Sequence, residues 1–288
     1  LAHRPVTPEE ALVDLRADAR VDQAAGAPLA GMRVLELADG WAAQCGRILA
    51  DLGADVIKVE PPSGDSARSR PPFVDDRPGA DRGLWWLALN ANKRGITLDL
   101  ERAEAPAVLR RLVERSDALV ESFAPGWLAE RGIGPETLAA WNERLIHTSI
   151  TPYGQDGPLA DAPASDLEVT AAGGALWLAG EPGKPPVRTS LPQSPFWAGM
   201  YGAMGTLFAY LARAATGRGQ RVDTSAQESM VTVTPPEADR RSDPAMWRKW
   251  SRWGVFDFPS HQKPQTIDEM VEQFTLGPSD SLDRPERL

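Results

Sequence analysis

Short apolar segments alternate with helical segments between Met32 and Thr151, and this alternation constrains the fold more than any other feature. Five segments have the length and composition of strands, namely MRVLELA, DVIKVE, GITLDL, DALVES and RLIHTSIT. The segments between them include WAAQCGRILADLG, which we expect to end at Gly53, as well as LWWLALN, APAVLRRLVERS and PETLAAWN. Strands that alternate with helices at this spacing need right-handed crossovers. We therefore expect an α/β fold with a doubly wound, mainly parallel sheet.

Ligands of such a sheet bind beyond the carboxyl ends of its strands. The first strand is followed by LADGWAAQ, which contains neither G-x-G-x-x-G nor the lysine of a P-loop. A nicotinamide enzyme and a P-loop ATPase are therefore disfavoured.

Charge and residue usage exclude several other classes of function. A net charge of −9 over 288 residues argues against a nucleic-acid or membrane-surface partner, although it allows an anionic small molecule. The only cysteine, Cys45, excludes an internal disulfide and a multi-cysteine zinc site. The three histidines are too far apart for a zinc motif, so we predict no metal. A single cysteine fits a reducing compartment, and we expect the cytoplasm.

The longest uncharged apolar stretch, Phe196 to Ala212, is shorter than a membrane span and contains Gly199, Gly202 and Gly205. We predict a buried helix whose glycines allow close approach of a neighbouring element. The N-terminus shows no basic segment followed by an apolar run, so we expect no signal peptide.

Three regions are expected along the chain. Residues 1–28 are expected to form a helical extension and a linker, with a capping box at its start, and residues 29–226 to form the main domain. Residues 227–288 are expected to form a divergent C-terminal region, which is polar and Pro-rich from Pro235 onward. Their tryptophans Trp247, Trp250 and Trp253 favour a structural anchor over a ligand cage.

One carboxylate, Asp166 in ASDLEVTAAGG, precedes a helix of small residues. Aspartate is common at helix starts, so the residues alone favour a capping role for it. A nucleophile is the alternative. The glycines that follow, Gly173 and Gly174, fit either oxyanion donors or close helix packing.

Seven motifs together resemble the family III CoA-transferases. These motifs are PLAGMRVLELA, ILADLGADVIKVEPPSGD, NANKRGITLDL, LVESFAPG, ITPYGQDGP, SDLEVTAAGG and TGRGQRVDTS, which run in order from Pro28 to Ala226. The family includes formyl-CoA and carnitine-CoA transferases, with alpha-methylacyl-CoA racemase as a relative.

The resemblance implies a Rossmann-like large domain, a second smaller domain and two identical chains interlocked as a homodimer. It implies that coenzyme A, acyl-CoA and a small carboxylic acid are substrates, with no tightly bound cofactor. It also makes Asp166 the catalytic nucleophile, which forms an acyl-aspartyl anhydride and then an aspartyl-CoA thioester.

The same resemblance implies contacts to coenzyme A. Gly40 and Ala42 would offer backbone near the nucleotide, and Leu98 would line the adenine slot. Ser122 and Phe123 would lie along the pantetheine arm.

The phosphates of coenzyme A need cations or N–H donors. Arg102 and Arg131 are the nearest cations to positions where some relatives carry lysine or arginine, whereas Glu101 and Glu130 stand at the aligned positions.

The chain departs from the family pattern at the nucleophile and in its length. Ala164-Ser165 precedes Asp166, where relatives have Gly-Tyr or Gly-His. No glycine-rich loop follows residue 220, and the chain starts at Leu1 and is shorter than its relatives. We therefore expect a fragment or one half of a longer polypeptide.

Two alternatives to a CoA-transferase remain. A 2-methylacyl-CoA racemase needs a histidine and aspartate pair, but Glu136 stands where the racemases carry histidine, and His147 lies in a predicted strand. A non-catalytic module that binds coenzyme A or dimerises is the other alternative.

Overall fold

The computed structural model describes residues 26–37, 40–179 and 185–233, without the side chains of residues 177, 178 and 233. The chain divides into two units, Leu1–Val233 and Thr234–Leu288, and every described residue belongs to the first. The N-terminal helix predicted within residues 1–28 and the three tryptophans after residue 246 lie outside the described residues. The boundaries predicted at residues 28 and 226 stay predictions.

The described residues contain one six-stranded sheet in which every neighbouring pair is parallel. Its strands are β1 (Arg33–Leu37), β2 (Asp55–Glu60), β3 (Arg94–Thr97), β4 (Ala118–Glu121), β5 (Ile146–Thr151) and β6 (Arg221–Ser225). Their spatial order is β3-β2-β1-β4-β5-β6, the arrangement of a Rossmann-like doubly wound fold. The predicted α/β fold and parallel sheet are confirmed. Strand β6 was not predicted, because its segment RVDTS is short, polar and partly exposed at the sheet edge.

Nine α-helices surround the sheet in the described part of the chain. They are α1 (Ala43–Asp51), α2 (Leu84–Asn90), α3 (Ala105–Val113), α4 (Trp127–Glu130), α5 (Pro135–Trp141), α6 (Asp166–Ala172), α7 (Ala175–Leu178), α8 (Ser194–Thr216) and α9 (Ala226–Val233). Helix α1 is followed by Gly53 with φ +96°, which confirms the predicted glycine at that end.

Each face of the sheet carries its own apolar core. Val34 of β1 and Ile150 of β5 belong to one core, which includes residues of α1 and α8. Leu35 and Ile57 belong to the other, together with Leu109 of α3. Successive residues of a strand point to opposite faces, so neighbouring apolar residues of β1 and β2 supply both cores, although each strand also carries a buried charged residue, Glu36 or Lys58.

The glycines of α8 lie against the sheet and α1, as predicted. A Cβ atom at position 199 would lie 2.6 Å from Gln44 Cβ, and one at position 205 would lie 2.6 Å from Val222 Cγ1. A Cβ atom on Gly202 would overlap Ile150. Close approach of the α8 backbone to these neighbours therefore requires glycine.

The opposite side of α8 is exposed, so the predicted buried helix is buried on one side only. Met200, Met204, Phe208 and Leu211 form an exposed stripe, and the last two are 63% and 67% exposed. The glycines bury only the side of α8 that faces the sheet. No helix within the described ranges is long and apolar enough to cross a membrane.

Four buried charged side chains connect β1, β2 and the loops that follow β2 and α2. Lys58 Nζ lies 3.1 Å from Glu36 Oε1 and 2.6 Å from Asp65 Oδ2, and Lys93 Nζ lies 2.7 Å from Glu36 Oε2. All four side chains are at most 3% exposed. We call Glu36, Lys58, Asp65 and Lys93 the buried charge cluster.

Burial and the two carboxylates act in opposite directions on the lysines of this cluster. Burial lowers the pKa of Lys58, but Glu36 and Asp65 outweigh it and the net pKa is raised. For Lys93 burial dominates, and its pKa is lowered although Glu36 opposes the shift. Lys93, the lysine of the NANKRGITLDL motif, is a structural residue, since it is buried, pairs with Glu36 and donates to Ala43 O at 2.9 Å.

We predict that Gly46→Ala destabilises the protein by about 3 kcal/mol, although alanine normally favours a helix over glycine. Gly46 lies within α1, and a Cβ atom there would overlap Glu36 Oε2, which displaces a carboxylate paired with two buried lysines. Urea unfolding measures the change.

Gly95→Ala is the matched control. A Cβ atom at position 95 would lie 3.8 Å from Glu60 Oε1, an ordinary contact, so this variant should unfold close to the wild-type midpoint. Equal stability of Gly46→Ala and the wild type would contradict the assigned role of the cluster.

Candidate active site

Strands β2 and β3 extend the sheet on one side of β1, and β4, β5 and β6 extend it on the other side. The strand order therefore reverses between β1 and β4. A crevice opens at such a switch point beyond the carboxyl ends of the strands. Two cavities occur there, a larger one of about 460 Å³ and a smaller one of about 210 Å³. Asp65 of the buried charge cluster lines both of them. The cluster thus fixes the wall that the two cavities share.

The larger cavity combines aromatic walls with a few charged groups. Trp41, Trp85 and Phe196 provide aromatic surface, and Trp85 and Phe196 pack with ring centroids 6.0 Å apart. The charged side chains that line it are Asp65, Asp166, Arg70 and Arg188. Apolar walls with few polar groups are typical of a small-molecule site.

Helix α6 is capped by Ser165 rather than by Asp166. Ser165 and Glu168 form a capping box, in which Glu168 accepts from the backbone N–H of Ser165. This hydrogen bonding lowers the pKa of Glu168. The capping role that the residues alone favoured for Asp166 is therefore wrong.

Asp166 instead binds the start of another helix, α8. Its Oδ1 accepts from Gln193 N at 2.8 Å, Ser194 N at 2.9 Å and Ser194 Oγ at 2.8 Å. These donors include the first N–H groups of α8, where a negative charge is favoured. The carboxylate is therefore held in one orientation.

The second oxygen of Asp166 has a different environment. Arg188 Nη2 lies 3.8 Å from Oδ2, and the Asp166 side chain is 11% exposed. Asp166 lines the larger cavity, so a ligand bound there can reach its carboxylate.

The smaller cavity is mostly apolar and has an aromatic stack at its side. Leu98, Phe123 and Trp127 line it, and the rings of Phe123 and Trp127 stack 4.1 Å apart. Arg131 covers the Trp127 ring at 3.6 Å and pairs with Glu101 at 2.7 Å. A flat apolar group would fit such a slot, with a cation beside it.

The structure divides the predicted site residues between the two cavities. Gly40 and Asp166 line the larger one, and Leu98 and Phe123 line the smaller one. Ala42 is buried at the start of α1 and lines neither.

The remaining three predicted contacts lie outside both linings. Ser122 immediately precedes Phe123 and is half-buried. Arg131 contacts two residues that line the smaller cavity, Trp127 and Glu101, and Arg102 is 76% exposed, with Asp99 at 3.7 Å.

Several lining residues were not predicted as site residues. Four of them belong to no recognised sequence motif, namely Arg70, Trp85, Arg188 and Phe196. Arg70 and Arg188 lie in Pro-rich or irregular segments. The sequence gives no periodic signal for side chains that converge from separate loops.

The first of the two glycines that follow Asp166 has a structural role. Gly173 packs against α9, since a Cβ atom there would lie 2.5 Å from Met230 Cβ, and its N–H donates to Val169 O. This favours the packing alternative over an oxyanion donor for Gly173.

His147 lies on β5, as predicted, and is buried beside Glu121, whose Oε1 is 3.6 Å from Nε2. It lines neither cavity, and Glu136 is exposed on α5. Among the residues with described positions, no group of three or more His, Cys, Asp or Glu is placed to hold a metal ion.

Comparison with known proteins finds one family. The model of CoA-transferase family III matches residues 29–247. The chain is 41% identical over 204 residues to the succinyl-CoA:(R)-benzylsuccinate CoA-transferase subunit BbsE of Thauera aromatica, covering 71% of this chain and 50% of that protein. It is 34% identical over 206 residues to the formyl-CoA:oxalate CoA-transferase of Streptomyces avermitilis, covering 71% and 49%. The chain spans about half the length of the curated relatives it matches.

Solved structures agree with the fold. A CAIB/BAIF family protein from Brucella suis superimposes with a TM-score of 0.70 at 36% identity, over 75% of this chain and 58% of that chain. Rv3272 from Mycobacterium tuberculosis superimposes with a TM-score of 0.67 at 31% identity, over 75% and 60%.

We predict that Asp166→Ala lowers the free energy of unfolding by about 1 to 2 kcal/mol, because it leaves the first N–H groups of α8 without their acceptor. Asp166→Asn retains an oxygen at the Oδ1 position and should lose less than half as much. Thermal and urea unfolding compare the two variants. Equal stability of Asp166→Ala and the wild type would contradict the anchoring role.

Proposed function

Because the chain belongs to CoA-transferase family III, we propose that it transfers coenzyme A from an acyl-CoA to a carboxylic acid, with Asp166 as the nucleophile. One observation carries the proposal. The Asp166 carboxylate lines the larger cavity with one oxygen fixed by three donors and the other facing Arg188. The CoA-transferase activities of its relatives support it.

The first half of the reaction would make an enzyme-bound thioester. Asp166 Oδ2 attacks the thioester carbon of the donor, the C–S bond breaks, and coenzyme A leaves as the thiolate with the electron pair. The product is a mixed anhydride. The thiolate then attacks the Asp166 carbonyl carbon and expels the donor acid as a carboxylate, which leaves an aspartyl-CoA thioester.

The second half reverses these steps with the acceptor. The acceptor carboxylate attacks the aspartyl carbonyl and releases the thiolate, and the thiolate attacks the acyl carbonyl of the new anhydride. The acceptor leaves as its CoA thioester, and the Asp166 carboxylate is restored. No external oxidant, reductant or net proton is needed.

Arg188 is placed to stabilise charge in each of these steps. Every attack produces a tetrahedral oxyanion beside Asp166, and the Arg188 guanidinium lies 3.8 Å from Oδ2. A cation held near the developing charge lowers the barrier. The same guanidinium also suits an incoming carboxylate once Asp166 has lost its own charge.

We place coenzyme A across both cavities. The apolar slot of Leu98 and Phe123 suits adenine and the upper pantetheine arm, and the arm then passes Ser122, Asp65 and Gly40 towards Asp166. Arg131 stands beside the slot and Arg102 further out, so they are the proposed cations for the phosphates.

We propose an interlocked homodimer in the cytoplasm. The exposed stripe of α8 is an argument for the dimer. Phe208 and Leu211 are apolar, exposed and on one side of the helix, and a second chain would cover them. Three of the relatives are named as subunits of transferases. The net charge of −9 and the buried free Cys45 support a reducing compartment without nucleic-acid or membrane partners.

We predict a covalent adduct on Asp166. Intact-protein mass spectrometry after brief incubation with a panel of acyl-CoAs should show added acyl or coenzyme A mass on the wild type. Asp166→Asn and Asp166→Ala should show none, because they lack the nucleophilic oxygen.

Glu168→Gln is the matched control for this experiment. Glu168 is an exposed carboxylate two residues away that lines neither cavity, and glutamine preserves the capping box, so the adduct should persist. Absence of any adduct on a chain that binds coenzyme A would favour a non-catalytic binding module.

We also predict that Leu98→Ser weakens binding of coenzyme A about tenfold, since it removes apolar surface from the proposed adenine slot. Isothermal titration calorimetry measures the Kd. Leu159→Ser, at an exposed position outside both cavities, should bind as the wild type does. Unchanged affinity in Leu98→Ser would place adenine elsewhere.

A further inference from the structure

Arg70 lines the larger cavity without a carboxylate partner in the described part of the chain. Its neighbour Arg68 behaves differently, because Arg68 pairs with Glu60 at 2.6 Å and with Asp81 at 2.5 Å. These two carboxylates raise the pKa of Arg68. The two arginines of the same loop are therefore distinct, one structural and one available to a ligand.

The position of Arg70 is supported by an ordered aromatic ring. Its guanidinium lies 4.9 Å from the centroid of the Trp85 ring, within the range of a cation–π contact. Trp85 is itself held, since its Nε1 donates to Pro71 O at 3.1 Å and its ring packs against Phe196. The Arg70 guanidinium therefore lies against the Trp85 ring, which Pro71 O and the Phe196 ring hold in place.

Arg70 is the one charged lining residue of the larger cavity that has no ion-pair partner among the described residues. Asp65 is neutralised by Lys58 at 2.6 Å, and Asp166 faces Arg188. Among the described residues that line the cavity, Arg70 is the remaining charged group. An anionic group on the ligand would complete the set, and arginine binds carboxylates through two parallel hydrogen bonds.

We propose that Arg70, supported by Trp85, forms a subsite for a second carboxylate, so that the protein selects acyl groups and acceptors that carry a terminal carboxylate in addition to the reacting one. The proposal rests on the transferase function proposed above. Asp166 and Arg188 handle the reacting carboxyl group, and Arg70 binds the distal one. Trp41, Trp85 and Phe196 line the same cavity and suit the short carbon chain between the two groups.

The first test compares two donors of equal chain length, succinyl-CoA and butyryl-CoA, with the full chain. The wild type should prefer succinyl-CoA in kcat/KM by tenfold or more, the range of one charge-assisted pair. Arg70→Gln should lose at least tenfold with succinyl-CoA and change little with butyryl-CoA. Arg70→Lys keeps the charge but not the two-pronged geometry, and it should recover part of the loss.

Arg77→Gln serves as the control for removal of a nearby cation. Arg77 is exposed in the same long loop and lines neither cavity, so this variant should keep the wild-type preference. Equal preference in Arg70→Gln and the wild type would overturn the proposal. An equal loss of affinity for free coenzyme A and succinyl-CoA in Arg70→Gln would assign Arg70 to the phosphates and overturn it as well.

A binding measurement separates this proposal from the transfer chemistry. Isothermal titration calorimetry of succinate and butyrate needs no turnover, and the wild type should bind succinate at least tenfold more tightly, with the difference lost in Arg70→Gln. If succinate shows no preference over butyrate, the subsite proposal is wrong whether or not Asp166 forms an adduct. A succinate preference that depends on Arg70 but is accompanied by no adduct would reject the transferase mechanism and leave the subsite standing.

Discussion

The buried charge cluster is the constraint on which the other features of the site depend. Lys58 of β2 forms ion pairs with both Glu36 of β1 and Asp65 of the loop after β2. Lys93, in the loop after α2, forms a further ion pair with Glu36. Charges removed from water are tolerated only when they are paired, so these loops are held in one arrangement. That arrangement places Asp65 between the two cavities.

The two cavities differ in a way that suits a long, two-ended ligand. The smaller one is mostly apolar and flanked by stacked rings, with Lys58, Asp65, Asp99 and Glu101 as its charged lining residues, whereas the larger one brings Asp166 together with two arginines. Neither is built from a single motif. The larger draws on the loop after β1, the long loop between β2 and α2, and the segments that precede α6 and α8. Such convergence of loops on a parallel sheet is how this fold class acquires chemistry.

The parallel sheet, most helices and the approach of the α8 glycines were predictable from the sequence, because periodicity and glycine spacing are local properties. Strand β6 was missed because an edge strand needs no apolar run. The exposed stripe was missed because an apolar helix looks the same whether one or both sides are covered. Arg70 and Arg188 were missed because their roles arise only when distant loops meet. Asp166 was singled out from the sequence, but its attachment to α8, 27 residues further on, was not.

The attachment of Asp166 to α8 would link the proposed covalent chemistry to the stability of the scaffold. The oxygen bonded to Gln193 N and Ser194 N is a full acceptor while the group is an anion, and becomes a weaker carbonyl acceptor once the other oxygen is acylated. A proposed cycle of acylation and release would therefore loosen and retighten the start of a helix of 23 residues. The same helix carries the exposed stripe, so the hydrogen bonds of Asp166 and the stripe belong to one structural element.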